Sequence, residues 1–298
     1  MTRPNPVSFR IQDAELAVRV AGDRANPALL LIHGFPGSSA YFRDVIGTLA
    51  RHCFVIAPDL PGFGDSEPIE QPTFARFADL LDGLLAELGV DSFHLYLHDY
   101  GAAAALHLAT RAPHRIRGLI IQNANAHESG MGQAWSATRE YWNDPTPERR
   151  AEATAHLTLE GTRDQYTAGV PRDIAERIDP GRWEEDWRIM SLPGRLETQR
   201  ALVLDYRSHV ARFGEIGDYL ERRQPPALML WGRHDGFFDI DETLAWMKAL
   251  PRMEAHILDG PHLLLETHSA ECAELIIRFV GADRPGSSPP TAGRQAPV

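Results

Sequence analysis

The chain has 298 residues, 43% of them hydrophobic, and a formal net charge of −11. That is enough chain for one large α/β domain with an insertion, or for two domains, with apolar content for a sizeable core. An acidic balance without a long basic patch argues against nucleic acid as a partner. Two cysteines, Cys53 and Cys272, do not make a disulfide framework. No apolar run is long enough to cross a bilayer, and Met1 is followed by no apolar signal segment. The expected setting is the cytoplasm, without a membrane.

Residues 8 to 20 alternate loosely and read as an opening hairpin. Ala28 to Ile32 is a short apolar run, the pattern of a buried strand. It ends in His33-Gly34-Phe35-Pro36-Gly37, after which Ser39 is placed to cap a helix from Ala40 to Leu49. Cys53 to Ala57 is the next buried strand, and Pro58 to Ser66 a rigid Gly/Pro loop. Phe74 to Leu88 carries apolar residues at helical spacing. Phe93 to Leu97 and Ile116 to Gln122 are strands, with an Ala-rich helix, Ala102 to Thr110, between them. Strands alternating with helices predict a mainly parallel sheet covered by helices on both faces. Catalytic groups then belong beyond the carboxyl ends of the strands.

The rhythm stops after Asn123. From about Gly130 to Arg222 no buried strand is legible, and four of the six tryptophans fall there: Trp135, Trp142, Trp183 and Trp187. Thr146 to Leu159 is a charged helical run with Pro147 near its start. Residues 124–223 therefore read as a helical cap inserted between sheet strands, suited to carry substrate-binding side chains and to keep water out. Residues 1–123 and 224–280 make the two parts of the core domain. In the second part Pro226 to Trp231 and Met253 to Leu258 are strands, and Asp241 to Leu250 and Ala270 to Val280 are helices. Residues 281–298, rich in Gly, Pro and Ser, read as a disordered tail.

The chemistry concentrates where the strand at 93–97 passes into a helix through His98-Asp99-Tyr100-Gly101 without a spacer. Such a corner holds its apical residue up and exposed, the geometry of a nucleophile elbow. Asp99 at the apex is either a helix cap or a carboxylate nucleophile. Asp235 and His262 follow later in the chain, each after a strand-like run, and the order nucleophile, acid, histidine is the one α/β-hydrolases use. A carboxylate attacks without first losing a proton, so it suits alkyl carbons. His262 then activates water against the resulting ester, and Asp235 orients and charges His262. Asp235 before Gly236 is also an ordinary turn residue, with Asp239 and Asp259 as rivals for the acid. The ester hydrolysis needs an oxyanion hole, for which the backbone N–H groups of Phe35 and Tyr100 stand at the expected places.

These segments resemble the epoxide hydrolase and haloalkane dehalogenase branch of the α/β-hydrolase superfamily over about residues 10 to 280. His33-Gly34-Phe35-Pro36 is similar to its oxyanion-loop motif, and Asp59 to Ser66 to its glycine-rich loop. His98-Asp99-Tyr100-Gly101 is similar to its nucleophile motif, in which Trp more often follows the Asp. Gly232-Arg233-His234-Asp235 and Gly260-Pro261-His262 are similar to its acid and base motifs. The resemblance implies a mostly parallel eight-stranded α/β-hydrolase sheet with an inserted helical cap, and a small apolar molecule as the partner, with a homodimer left open.

The leaving-group residues divide the branch. The resemblance gives haloalkane dehalogenases a Trp after the nucleophile and an Asn or Trp elsewhere, whereas Tyr100 and Phe35 stand at the nearest positions here. Fluoroacetate-type enzymes carry arginines just after the nucleophile, where this chain has Tyr100 and Ala103. Epoxide hydrolases use cap tyrosines: Asp205-Tyr206-Arg207-Ser208 is similar to the segment that supplies one, and Tyr141 stands where another would sit, with Tyr166 its rival. Trp142 and Tyr166 are expected to touch substrate. The expected activity is opening of an epoxide to a vicinal diol. The alternatives are a dehalogenase that holds halide with Asn123, Asn125 or Trp142, a non-catalytic binding protein, and an esterase, for which no Ser sits at a strand-to-helix apex. Neither a metal site nor a cofactor is expected: Gly62 and Gly64 lack the Lys-Ser/Thr continuation of a P-loop.

Overall fold

In the computed structural model, residues 4–282 are described; nearly all of the segment 281–298 therefore lies outside the described residues. Eight strands form one sheet: β1 (Val7–Ile11), β2 (Ala14–Ala21), β3 (Ala28–Leu31), β4 (Phe54–Pro58), β5 (Phe93–His98), β6 (Ile116–Gln122), β7 (Ala227–His234) and β8 (Glu254–Pro261). Their order across the sheet is β1-β2-β4-β3-β5-β6-β7-β8. The β1–β2 and β2–β4 pairs are antiparallel, and all other neighbours are parallel. The mainly parallel sheet is the one the alternation of strands and helices predicts, and its eight strands are those of the α/β-hydrolase fold that the resemblance implies.

The central strands are buried on both faces, which explains their unbroken apolar runs. Successive side chains leave a strand on opposite sides. Leu30, Ile56, Leu95, Ile121 and Met229 thus join one apolar layer, and Leu29, Val55, Tyr96, Ile120 and Leu228 the other. On the flanks lie α1 (Ile46–Leu49), α2 (Phe74–Glu87) and α3 (Asp99–Arg111). The Thr73 hydroxyl accepts from Arg76 N at 3.1 Å and starts α2. The helix expected from Ala40 to Leu49 is broken: a 3₁₀ turn, Ser39–Phe42, capped by Ser38 rather than Ser39, precedes the short α1.

Between β6 and β7 the chain makes only helices: α4 (Ser136–Asn143), α5 (Pro147–Ala153), α6 (Leu159–Thr167), α7 (Arg172–Ala175), α8 (Gly181–Met190), α9 (Arg195–Val210) and α10 (Phe213–Arg223), with short 3₁₀ turns before α4. The run read as one helix from Thr146 to Leu159 is divided. Thr146 caps α5, and Thr158 caps α6 by accepting from Gly161 N at 3.0 Å. The chain ends with α11 (Asp241–Ala249) and α12 (Leu265–Ala282). Two buried contacts anchor the inserted helices to the sheet domain: Arg195 Nη1 donates to Gly64 O at 2.9 Å, and Phe74 N donates to Asp205 Oδ2 at 2.8 Å. Among the described residues no helix is long and apolar enough to cross a membrane.

Candidate active site

The corner between β5 and α3 is as sharp as the sequence implies. Asp99 has φ +46°, in the left-handed region that L-residues enter at a cost. Close packing keeps it there. A Cβ on Gly101 would lie 2.4 Å from His33 O, so only glycine lets α3 approach the end of β3 this closely. A Cβ on Gly34 would lie 2.3 Å from the Asp99 Cβ, so the loop after β3 also needs glycine to pass over the apex. The Asp99 side chain does not cap α3 from the N-cap position, which His98 occupies.

Its two oxygens have different surroundings. Oδ1 accepts the Phe35 N–H at 2.6 Å, and the Tyr100 N–H also acts to hold the carboxylate charge. Oδ2 faces His262 Nε2 at 3.7 Å. Burial pushes the Asp99 pKa up; the His262 charge and the two N–H groups pull it down, and the balance remains raised. For His262, burial acts to lower the pKa, and the Asp235 carboxylate and its hydrogen bond, helped by Asp99, outweigh that and raise it.

His262 Nδ1 lies 2.8 Å from Asp235 Oδ2. That carboxylate is held on all sides. Oδ1 accepts from Phe237 N at 2.8 Å and Phe238 N at 3.0 Å, and Oδ2 accepts from Asn123 Nδ2 at 2.8 Å. Asp235 is thus both a turn residue and the partner of the histidine, one oxygen serving each role. The rivals lie elsewhere: Asp259 pairs with Arg233 and His234 at the surface, and Asp239 accepts from Asp241 N. His262 Nε2 has no hydrogen-bond partner among the described residues.

Under this row lies a buried polar layer. Gln122 Nε2 donates to His262 O at 3.0 Å, and its carbonyl accepts from the hydroxyls of Tyr41 and Tyr96. His98 stacks on Tyr41 and sits 4.9 Å from the His262 ring; burial, and then the His262 charge, hold it well below the usual histidine range. A neutral His98 spares His262 a second cation beside it. His33 is structural: its Nε2 accepts from Leu60 N at 3.0 Å.

A cavity of about 160 Å³ opens over Asp99. Phe35, Tyr100, Trp135 and Phe237 are its aromatic lining, and Thr138, His156 and Gln165 also line it, from the inserted helices and their connections. The tyrosines expected from the sequence are dispersed. Tyr206 is fully buried against two of these lining residues, its ring 4.7 Å from Trp135 and 5.6 Å from Tyr100. Burial drives its phenol well above the usual range and the Asp99 charge adds to this; Asn125 acts in the other direction, without a hydrogen bond of normal geometry to the hydroxyl. Tyr141 does not line the cavity and packs with Ala153 and with Val203, which does, and Tyr166 donates to Asp186 Oδ2 at 2.5 Å in another cluster. Trp142 sits behind Trp135 with its N–H on Val203 O at 2.8 Å.

The wall residues Trp135, His156, Gln165 and Phe237 were not legible in the sequence, because no local pattern separates them from neighbours of the same type. Asn123 had a signal. It follows β6 directly and has φ +39°, a region that Asn tolerates better than most residues. Among the described residues no group of three or more His, Cys, Asp or Glu is arranged to hold a metal ion.

The profile of the alpha/beta hydrolase fold family matches residues 27–269. An uncharacterized hydrolase of Saccharomyces cerevisiae is 33% identical over 276 residues, covering 90% of this chain and 94% of its own. Among solved structures, the haloalkane dehalogenase DbeA from Bradyrhizobium elkani superposes with a TM-score of 0.74 at 22% identity, covering 93% of this chain and 97% of its own. The epoxide hydrolase CorEH superposes with a TM-score of 0.73 at 22% identity, covering 94% and 99%. At that identity the structural likeness speaks for the fold.

Proposed function

The chain belongs to the alpha/beta hydrolase fold family and is a hydrolase of that superfamily; from that premise we propose that it is an epoxide hydrolase working through a covalent ester on Asp99. Oδ1 accepts the Phe35 N–H and Oδ2 faces His262, so Oδ2 is the attacking atom. It bonds the less hindered epoxide carbon, the C–O bond breaks, and the ring oxygen leaves as an alkoxide that takes a proton. Oδ1 becomes the ester carbonyl oxygen, already in its oxyanion hole. Water, deprotonated by His262 Nε2, attacks Cγ. The Cγ–Oδ2 bond then breaks, so the diol leaves with the enzyme's oxygen and Asp99 keeps one oxygen from water.

Charge couples the two steps. In the free enzyme the Asp99 carboxylate helps to raise the pKa of His262. Esterification removes that charge, so the His262 pKa falls at the step where the neutral imidazole is needed as a base. Asp235 keeps its hold on Nδ1 throughout. In this reading residues 124–223 form a cap that closes over the ester and limits access of bulk water.

The epoxide reading over the halide reading is carried by one observation, the state of the donors around the leaving group. Both indole N–H groups near Asp99 are engaged: Trp135 donates to Phe237 O and Trp142 to Val203 O. Asn123 is engaged with Gly232 and Asp235. The Tyr206 hydroxyl, which feels the Asp99 charge, and the Asn125 Nδ2 are buried without a hydrogen-bond partner among the described residues. A phenol kept protonated by burial can give its proton to an alkoxide, a stronger base than phenoxide, whereas a departing halide needs no proton. Epoxides and alkyl halides tested side by side, with diol and halide read separately, decide the matter. Diol formation is expected, with solvent heavy oxygen found in Asp99 after a single turnover. Halide release without diol overturns the epoxide reading, and label in the product alone overturns the covalent route.

A further inference from the structure

The cavity over Asp99 is not uniformly apolar. His156 and Gln165 both line it, and Gln165 is only 6% exposed. No side-chain hydrogen bond to another described residue holds Gln165. Polar groups placed so deep ordinarily have partners. The His156 ring sits edge-on to Phe35, with centres 5.6 Å apart, beside the loop whose N–H holds Asp99. Its reach is therefore toward a substrate already seated on Asp99.

We propose that His156 and Gln165 form a subsite for a hydroxyl group on the substrate, so that the preferred substrates are small epoxides carrying an alcohol close to the ring. The donor and acceptor arithmetic supports this. Burial lowers the His156 pKa, against a smaller pull from the Ala153 carbonyl that favours a proton on one ring nitrogen. A neutral imidazole protonated there offers its other nitrogen as an acceptor. The Gln165 amide supplies an N–H donor and a carbonyl acceptor. A hydroxyl is at once donor and acceptor, and so matches the pair. An ether or ketone oxygen would leave the imidazole nitrogen without a partner, and a carboxylate would face its lone pair. Size narrows the class further. A dry cavity of roughly 150 Å³ holds benzene, and this one is about 160 Å³.

The inference rests on the epoxide reading for its substrate class but not for the subsite itself, and a four-substrate test keeps the two apart. Glycidol is compared with 1,2-epoxybutane, which has a methyl in place of the hydroxyl, and 3-chloropropan-1-ol with 1-chlorobutane. The full chain is expected to prefer glycidol by about tenfold or more in kcat/KM, the value of one well-made hydrogen bond. Gln165→Met and His156→Phe, of similar size but without those hydrogen-bonding groups, are expected to erase that preference, read in each variant as the ratio of kcat/KM on glycidol to that on 1,2-epoxybutane. Two independent variants guard against the loss of one to misfolding. Equal rates on the two epoxides, or equal losses on both in the variants, overturn the subsite. A hydroxyl preference seen only in halide release keeps the subsite and overturns the epoxide reading. Absence of turnover on all four overturns both.

Discussion

The sheet domain holds the carboxylates of Asp99 and Asp235 closely. Three of the four carboxylate oxygens accept hydrogen bonds from the chain, and the fourth, Asp99 Oδ2, faces His262. On the helical side of the same cavity, ring stacking takes over, and polar atoms such as the Tyr206 hydroxyl and the Asn125 amide nitrogen are buried without hydrogen-bond partners among the described residues. The difference reflects what holds each side. The first is built from strand ends and backbone N–H groups, which the sheet fixes. The second is built from side chains on helices that reach the sheet through contacts such as Arg195 to Gly64. The rigid side suits chemistry that is the same for every substrate, and the side-chain wall suits selection among substrates.

The comparison breaks first at Asp99. Asp99→Asn is expected to lower kcat by about 10⁴-fold or more for every substrate, as loss of a triad member does. Residual turnover within tenfold of the parent, measured by diol release, would show that the sheet side does not supply the nucleophile. Next comes the wall: Tyr206→Phe is expected to cost about 10²-fold in kcat on epoxides, the scale of general-acid assistance. The same variant should leave any halide release untouched, and equal losses in both assays would reduce Tyr206 to packing.

A smaller effect is expected behind the acid. Asn123→Gly keeps a backbone at home with positive φ and removes the amide that grips Asp235 and Gly232. A hydrogen bond to a charged group is worth about 1.5–3 kcal/mol, so kcat should fall roughly 10- to 100-fold, with the ester intermediate accumulating and visible in the intact mass. An unchanged kcat would mean that Phe237 N and Phe238 N alone position Asp235. The smallest effect is on stability. The folded pKa of Asp99 is raised, chiefly by burial, so protonated Asp99 favours the fold. That contribution is full below the ordinary carboxylate pKa and is lost as pH rises through the raised value. Asp99→Asn should therefore melt higher than the parent at neutral pH, with the gap closing on acidification. A parent that melts higher at pH 7 would contradict the sign.

How much of this was legible in the chain differs between the two sides in the same way. The strand-to-helix passage at His98-Asp99-Tyr100-Gly101 and the glycines at 34 and 101 mark the corner, because close approach of two backbones leaves no room for a Cβ. Asp235 and His262 were legible because each ends a strand, and parallel strands deliver their ends to one edge. Local sequence also marks Pro147 as near a helix start, and α5 begins there with Thr146 as its cap. The Asp205-Tyr206-Arg207-Ser208 segment marks Tyr206 by resemblance, but nothing local separates Tyr141 from Tyr166, or Trp135 from Trp142. All five sit on or beside helices of one insertion, and their directions follow from how those helices turn and cross. The order of chemical groups along the chain thus determined the fold and the reacting row, since both follow from backbone geometry with a short range. The tertiary structure alone decided which aromatic and polar side chains face Asp99, because that depends on packing between helices distant in sequence, where each side chain has many neighbours to choose among.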